Sequence, residues 1–383
     1  MKKLVFIFFS LIAHPCLAEE ILISFGGDVN FAQSRVAPNP YEVTKFGTYP
    51  IDYTTEFISH EWNGDLNFIN VETVVSENDY DGPDKTFVFR SHPENFDHLI
   101  ALGVNVFSLA NNHAYDHGYG GIEQTLDYFT AASEYNPELL FAGLGNFDGA
   151  LMPSVIEISG YRVAFGAIGI GSQFYAASSP TAIGMATLGV GEHYDILLQN
   201  MATIDADLKI ISIHYGAENQ TYLDSGQRDL FLRAVEEGGA HLVLGHHPHV
   251  ARAVEATSEY AIFYSLGNLL FVGGAVQDYG LLGKAYFDMS GDSPRLSALE
   301  AIPLTNVHLS PRSMSMARAE ATINNLNRLS VISAGPLGAS FDTVDAFRAP
   351  RGLACFGGPY GQRAHRACCA LDINWTCGLP EPM

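Results

Sequence analysis

Leu242-Val243-Leu244-Gly245-His246-His247-Pro248-His249 is the stretch on which the reading of this chain turns. An apolar run reads as the end of a buried strand, and three imidazoles crowd behind it on a bend that Pro248 stiffens. A neutral imidazole binds a divalent ion through one ring nitrogen, so His247 and His249, separated by one residue on a bent loop, can aim at neighbouring ions. Taken alone, the pair reads more readily as a solvated His-rich loop. The rest of the chain reverses that preference.

The same scheme recurs at intervals. Ile21–Phe25 runs into Gly26-Gly27-Asp28, Leu66–Val71 into Glu72, and Val104–Ala110 into Asn111-Asn112-His113. Leu208–Ile213 runs into His214, and Ala261–Tyr264 into Ser265-Leu266-Gly267-Asn268. Apolar runs ending in polar residues are how strands feed site loops in α/β folds. The inventory at these ends is Asp28, Glu72, Asn112, His113, His214, His247 and His249. In a mixed or parallel sheet they converge on one edge. Carboxylates, an amide and imidazoles around one point are the makeup of a two-metal hydrolytic site, in which a carboxylate bridges cations about 3.5–4 Å apart and water becomes nucleophilic.

Helical stripes lie between the strands. Phe96, Leu99 and Ile100 precede Gly103 as a C-cap, Ile122, Leu126 and Phe129 keep helical spacing, and Leu230, Phe231, Ala234 and Val235 stop at Gly238-Gly239. Val155–Ile158 and Val163–Phe165 read as a hairpin turning at Ser159-Gly160, residues 280–308 as two more strands, and Met314–Leu329 as a closing helix. Gly118–Gly121 and Gly143-Leu144-Gly145 lack the P-loop and dinucleotide patterns and read as turns or close packing. No G-x-S-x-G elbow occurs, and every cysteine lies outside the core motifs, which disfavours Ser or Cys nucleophiles.

Composition sets the boundaries. A formal charge of −22 disfavours nucleic acid and anionic membranes as partners, and polyanions too unless cations intervene. Hydrophobic content of 47% suffices for a large core. Lys2-Lys3, the apolar run Leu4–Ala13 and Cys16-Leu17-Ala18 read as a cleaved secretory signal over residues 1–18, so the mature chain is expected to start near Glu19 and to be exported, periplasmic or extracellular. A globular domain is expected over residues 19–340. Residues 341–383 carry Cys355, Cys368, Cys369 and Cys377, four arginines and no lysine, and read as a disordered tail. Its cysteines allow two bridges in three pairings, or a cluster with His365.

Six motifs in order resemble the CapA-type poly-γ-glutamate capsule synthesis proteins of the calcineurin-like metallophosphatase superfamily. They are Phe25-Gly26-Gly27-Asp28, the segment Asp65–Thr73, Ala110-Asn111-Asn112-His113-Ala114-Tyr115-Asp116-His117-Gly118, His214-Tyr215-Gly216-Ala217-Glu218, Gly245–Val250, and Tyr264-Ser265-Leu266-Gly267-Asn268. The resemblance covers residues 21–272. It implies a four-layer α/β/β/α sandwich, metallo-dependent phosphatase-like, with one or two divalent ions (Mn, Fe, Zn or Mg). Asp28 then corresponds to the first-strand metal ligand, Glu72 to the bridging carboxylate and Asn112 to a ligand of the second metal, with His214, His247 and His249 completing the shells. His113 would lie beside the substrate as proton donor or charge stabiliser, oriented by Asp116. The superfamily's Asp-x-His is here Asp28-Val29-Asn30, which removes one imidazole, and its Gly-Asp is Val71-Glu72. His92, His117 and His246 match nothing and read as hydrogen-bonded or exposed.

The function this implies is that of an exported protein of poly-γ-glutamate or related capsule polymer biosynthesis, with a metal-dependent hydrolase or transferase centre. Its partners would be an anionic polymer and membrane-associated capsule synthesis machinery. A metal-dependent phosphoesterase acting on a phosphoester, and a non-catalytic polymer-binding or export-assembly component, stand as alternatives.

Overall fold

β1 (Glu20–Asn30) is buried from Ile21 to Asn30, as a strand covered on both faces must be. It lies inside a sheet of ten strands in the computed structural model, which describes residues 19–31, 36–37, 49–172, 176–272, 277–358 and 361–371. The leader read over residues 1–18 lies outside that set, and so does Cys377. No helix among the described residues is long and apolar enough to cross a membrane.

β1, β2 (Leu66–Val71), β3 (Val106–Ser108) and β4 (Leu140–Ala142) run parallel side by side. Parallel neighbours need crossovers. Two of these contain α1 (Pro93–Ala101) and α2 (Gly118–Tyr135). The hairpin expected next is present as β5 (Ser154–Ile158) and β6 (Tyr161–Gly169), and it opens a second sheet of six strands. That sheet adds β7 (Leu208–His214), β8 (Leu242–His246), β9 (Val254–Ala256) and β10 (Ala261–Phe263) in the order β5-β6-β7-β8-β10-β9. α3 (Gly191–Thr203) and α4 (Gln227–Glu236) sit in its crossovers.

The chain then returns to the first sheet. β11 (Asn268–Phe271) runs parallel to the end of β1 on the side away from β2, and on that same side β12 (Tyr279–Asp288) pairs antiparallel with the start of β1 and β13 (Arg295–Thr305) extends the sheet beyond it. The two sheets meet through aromatic edges: Phe25 of β1 packs on Phe263 of β10 at 4.9 Å between centroids, and Phe68 of β2 on Phe165 of β6 at 5.7 Å. Helices occupy other faces. Leu197 of α3 and Phe231 of α4 share a cluster with Ile211 and Val243, and Phe129 of α2 lies 4.9 Å from Phe107. The molecule is thus a mixed α/β fold.

The C-terminal segment departs from the sequence reading. After β14 (Arg312–Ser313) and α5 (Met316–Ala334), β15 (Asp342–Ala346) pairs with β16 (Ala349–Cys355), and β16 pairs with β13 at the edge of the large sheet. α6 (Gln362–Cys369) follows, held by a Cys355–Cys368 disulfide. Far from being a disordered tail, residues 342–358 and 361–371 are ordered, because their partners lie far back in the chain. Arg351 is 1% exposed, with Nη1 2.5 Å from Glu300 Oε2 and Nη2 2.9 Å from Glu61 Oε1. Local periodicity carries no trace of a partner 290 residues away.

Candidate metal centre

The strand ends of both sheets meet at one place. Asp28 ends the regular part of β1 at a bulge, pairs in register with Asn70 of β2 on one side and Asn268 of β11 on the other, and is fully buried. Glu72 follows β2 directly, and its amide donates to Val29 O at 2.9 Å. His214 and His246 are register partners at the ends of β7 and β8. All four side chains are 0% exposed.

Beyond β8 the chain turns through two left-handed residues, His247 (φ 93°) and His249 (φ 57°), on either side of Pro248. A non-glycine residue there costs on the order of 1–3 kcal/mol and persists only where the surroundings enforce it. The turn carries both imidazoles back over the carboxylates. The His247 amide lies 3.3 Å from Asp28 Oδ2, and its Nδ1 is 3.1 Å from His214 Nε2. His249 Nδ1 is 3.4 Å from Asp28 Oδ2, and its Nε2 is 3.7 Å from Glu72 Oε1.

Two donor groups result, with ligand atoms within 4.8 Å of one another: Glu72, His214 and His247 in one, Asp28, Glu72 and His249 in the other. Glu72 belongs to both. Asn112 Oδ1, 2.7 Å from His214 Nε2, extends the first group. His113 stands beside them with Nε2 3.9 Å from Glu72 Oε1 and Nδ1 2.6 Å from Asp116 Oδ2. The structure therefore brings all eight residues singled out in the sequence to one place.

Electrostatics argue that the site is built for cations. Both oxygens of Glu72 are buried and accept no hydrogen bond. Burying such a carboxylate bare costs about several kcal/mol, unless it binds a cation or keeps its proton. Burial dominates its titration and pushes it well above the usual carboxylate range; the charge on His249 opposes this and that on Asp28 adds to it. Asp28 goes the other way. Burial opposes its ionisation, but the adjacent His246 and His249 imidazoles outweigh it and hold the carboxyl well below its usual range. Burial and His247 depress His214, and burial and His249 depress His247 to about 4, leaving neutral, ligand-competent imidazoles. His249 is raised to about 10, because Glu72 and Asp28 overcome its burial. Carboxylate, amide oxygen and imidazole together suit Mn, Fe, Zn or Mg, with the imidazoles favouring the transition ions.

Several neighbours escape the sequence reading. Asn70 Nδ2 spans from Asp28 Oδ1 (2.9 Å) to His214 Nδ1 (3.1 Å), and Asn268 Oδ1 lies 2.9 Å from His249 Nδ1. Lys85 Nζ donates to Asn112 O at 2.8 Å and to Asp116 Oδ1. Phe89 stacks on His113 at 4.1 Å while its amide donates to Asp116 Oδ2 at 2.7 Å. His246, expected to be hydrogen-bonded or exposed, is neither: it is fully buried, 5.4 Å from Phe68 between centroids, with Nδ1 3.2 Å from Asp28 Oδ1 in no hydrogen-bond geometry. His92 and His117 match the expectation: His92 Nδ1 caps α1 by accepting from the Glu94 amide, and His117 Nδ1 meets the Tyr80 amide at 3.3 Å. Asn30, where the superfamily has histidine, is buried at the end of β1.

Comparison with known proteins agrees with the motif reading. The family model described as "Bacterial capsule synthesis protein PGA_cap" matches residues 22–272. A PGA biosynthesis protein CapA of Bacillus subtilis is 30% identical over 206 residues, 54% of this chain and 52% of that one. A capsule biosynthesis protein CapA of Bacillus anthracis is 27% identical over 237 residues, 60% and 55% of the two chains. A probable polyglutamine synthesis accessory protein of Mycobacterium tuberculosis is 25% identical over 283 residues, 70% and 72%. The chain spans about half the length of the two Bacillus relatives. Among solved structures, a hypothetical protein from Thermus thermophilus aligns with a TM-score of 0.43 and 15% identity over 75% of this chain and 100% of that one. Since the family model spans well over half of the residues and every motif that meets at the centre, the chain belongs to the bacterial capsule synthesis protein family PGA_cap.

Proposed function

We propose that this is an exported protein of poly-γ-glutamate capsule biosynthesis whose metal centre hydrolyses or transfers the γ-glutamyl chain. The observation that carries the reading is Glu72, a fully buried carboxylate without a hydrogen-bond donor, shared between two sets of metal-ligating atoms. The Bacillus relatives, a PGA biosynthesis protein and a capsule biosynthesis protein, suggest the polymer. Export is supported by the Cys355–Cys368 bond, since structural disulfides persist in oxidising compartments. The four-layer α/β/β/α arrangement is part of the same reading, supported by the aromatic contacts between sheets and by the helices packed on their other faces.

Divalent cations held by Asp28, Glu72, Asn112, His214, His247 and His249 would supply Lewis-acid polarisation and a nucleophilic water. The remaining steps fall to the protein's own groups. Asp116 accepts the Nδ1 proton of His113, which fixes the tautomer and leaves Nε2 facing the centre. His113 is thereby placed to protonate a departing amine or alkoxide, and Phe89 over its ring limits access by water. Lys85 ties this pair to the backbone of Asn112, so the proton donor and a ligand residue keep a fixed relation.

The test is to incubate the chain from Glu19 onward with poly-γ-glutamate and Mn²⁺, following chain length and new amino termini, beside an aryl phosphate under the same conditions. Metal-dependent shortening or transfer of the polymer, abolished in Glu72→Gln, is the expected result. Turnover of the phosphate ester alone moves the assignment to a phosphoesterase. Polymer binding with no reaction under any metal moves it to a binding component.

A further inference from the structure

A second charged cavity lies on the sheet at β1, β12, β13 and β16, on the side where Leu22 packs with Tyr286 and Leu353, and at the opposite end of β1 from Asp28. Its volume is about 450 Å³. Lys284 and all four arginines of the C-terminal segment, Arg348, Arg351, Arg363 and Arg366, line it, so five of the chain's 20 lysines and arginines face one cavity on a molecule of net charge −22.

The floor and one side are neutralised. Lys284 Nζ is 2.8 Å from Glu61 Oε2, Arg351 spans Glu61 and Glu300, and Arg363 reaches Glu20 at 2.8 Å and Asp65 at 2.5 Å. Arg348 and Arg366 differ. Both are exposed, and neither has an acidic partner among the described residues. Arg348 is also held at φ 76°, in the left-handed region, at the turn between β15 and β16. Half-exposed Phe347 beside it, under the Arg351 guanidinium at 5.3 Å, supplies an apolar wall. Two guanidinium forks without an acidic partner among the described residues, beside buried ion pairs and an aromatic ring, suit a ligand that pairs carboxylates with methylene groups.

We propose that this cavity is an anion site, separate from the metal centre, that takes the pendant carboxylates of an acidic chain through Arg348 and Arg366. The capsule-polymer reading supplies the chemistry of that chain, while the cavity itself stands without it. A chain engaged at this site and at the metal centre would be held at two points, which raises its effective concentration at the second.

The experiment is equilibrium binding of γ-linked pentaglutamate to the chain from Glu19 onward at low salt, with and without a chelator, for wild type, Arg348→Gln/Arg366→Gln and Arg348→Lys/Arg366→Lys. Both arginines are exposed and have no acidic partner among the described residues, so the Gln pair is expected to melt as wild type does. Its affinity is expected to fall about tenfold or more, from the loss of two charge-assisted contacts, with the Lys pair between. With a chelator present throughout, so that the metal centre contributes no cation, wild type is expected still to bind and the Gln pair still to be weaker, which separates this site from the metal centre. Equal binding by wild type and the Gln pair overturns the proposal. So does full displacement of pentaglutamate by an equal concentration of inorganic phosphate, which would assign the cavity to phosphate. Binding that vanishes in wild type on addition of the chelator places the chain at the metal centre and overturns it as well.

Discussion

Asn112 Oδ1 lies 2.7 Å from His214 Nε2 although 102 residues separate them, and His247 Nδ1 approaches the same nitrogen at 3.1 Å. Three atoms that can all act as lone-pair donors converge beside Glu72 Oε1, itself 3.6 Å from His214 Nε2. A cation resolves that crowding. Chelation of the purified chain is therefore expected to lower its melting temperature and Mn²⁺ or Zn²⁺ to restore it. A ligand present at 100 times its Kd adds about 2.7 kcal/mol to the native state. Elemental analysis of wild type, Glu72→Gln and His247→Ala checks the source: up to two equivalents in wild type, fewer in both variants. An equal metal content in all three would place the ions elsewhere.

Asp116 acts through His113. Asp116→Asn leaves every proposed ligand in place but removes the charge that fixes the imidazole tautomer, and loss of such support typically costs about 10- to 100-fold. Turnover in whichever hydrolytic assay the wild type supports is expected to fall by that factor in kcat, with metal content unchanged. Because His113 acts as the acid, the alkaline limb of the pH profile should also shift. Burial depresses the His113 titration while Asp116 raises it, so removing Asp116 moves that limb to lower pH. A fall in metal content parallel to activity would show that Asp116 only supports the fold.

The strand ends are legible because each one changes abruptly from apolar to polar, and Asp28, Glu72, His214 and the His247–His249 pair all stand at such a change. Asn70 lies inside β2, where an amide reads as an ordinary sheet residue, and Asn268 closes the run Ser265-Leu266-Gly267-Asn268 and opens β11; only their cross-strand partner Asp28 gives them a role. His246 escapes for a related reason. Three consecutive candidates on one bend cannot be sorted by spacing, and the ring that packs under Phe68 is the one still in the strand. The C-terminal segment looks structureless because its order rests on Glu61 and Glu300, far back in the chain, and on a disulfide that links Cys355 to Cys368, a pairing that cysteine spacing leaves open. Pairing between sheets is likewise absent from any window of sequence, which is why the strands can be read but not their order.

Gly27 is where the backbone has no room. A Cβ there would sit 1.8 Å from Gly267 O, the atom that accepts the Asp28 amide at 3.0 Å. Gly27→Ala must push β11 away from β1, displacing Asp28 and Asn268 together. A loss of about 2 kcal/mol or more in chemical denaturation is expected, with weaker metal binding. Gly191→Ala at the start of α3, where an added Cβ meets nothing within 4 Å, is the control and should stay within about 0.5 kcal/mol of wild type. Similar losses for the two would show that β11 yields easily.

Acid stability should carry the mark of His241, which lies outside the metal centre. Its Nδ1 accepts the Lys209 amide at 3.1 Å, and burial, with the Lys209 charge, pushes its titration down to about 4 from an ordinary 6.5. The native ring therefore takes up a proton less readily than the unfolded one. Where the folded value is the lower, the stabilisation is complete above pH 6.5 and is lost as pH falls toward 4. The whole effect is on the order of 3 kcal/mol at most, since one unit corresponds to about 1.4 kcal/mol and the ring is only partly enclosed. His241→Asn keeps an acceptor for the amide but cannot titrate, so wild type should lose more stability than the variant between about pH 7 and pH 4.5 in urea unfolding. Equal losses would mean that the Lys209 amide finds another acceptor when His241 is charged, and that the acid sensitivity of the chain originates in its other buried imidazoles.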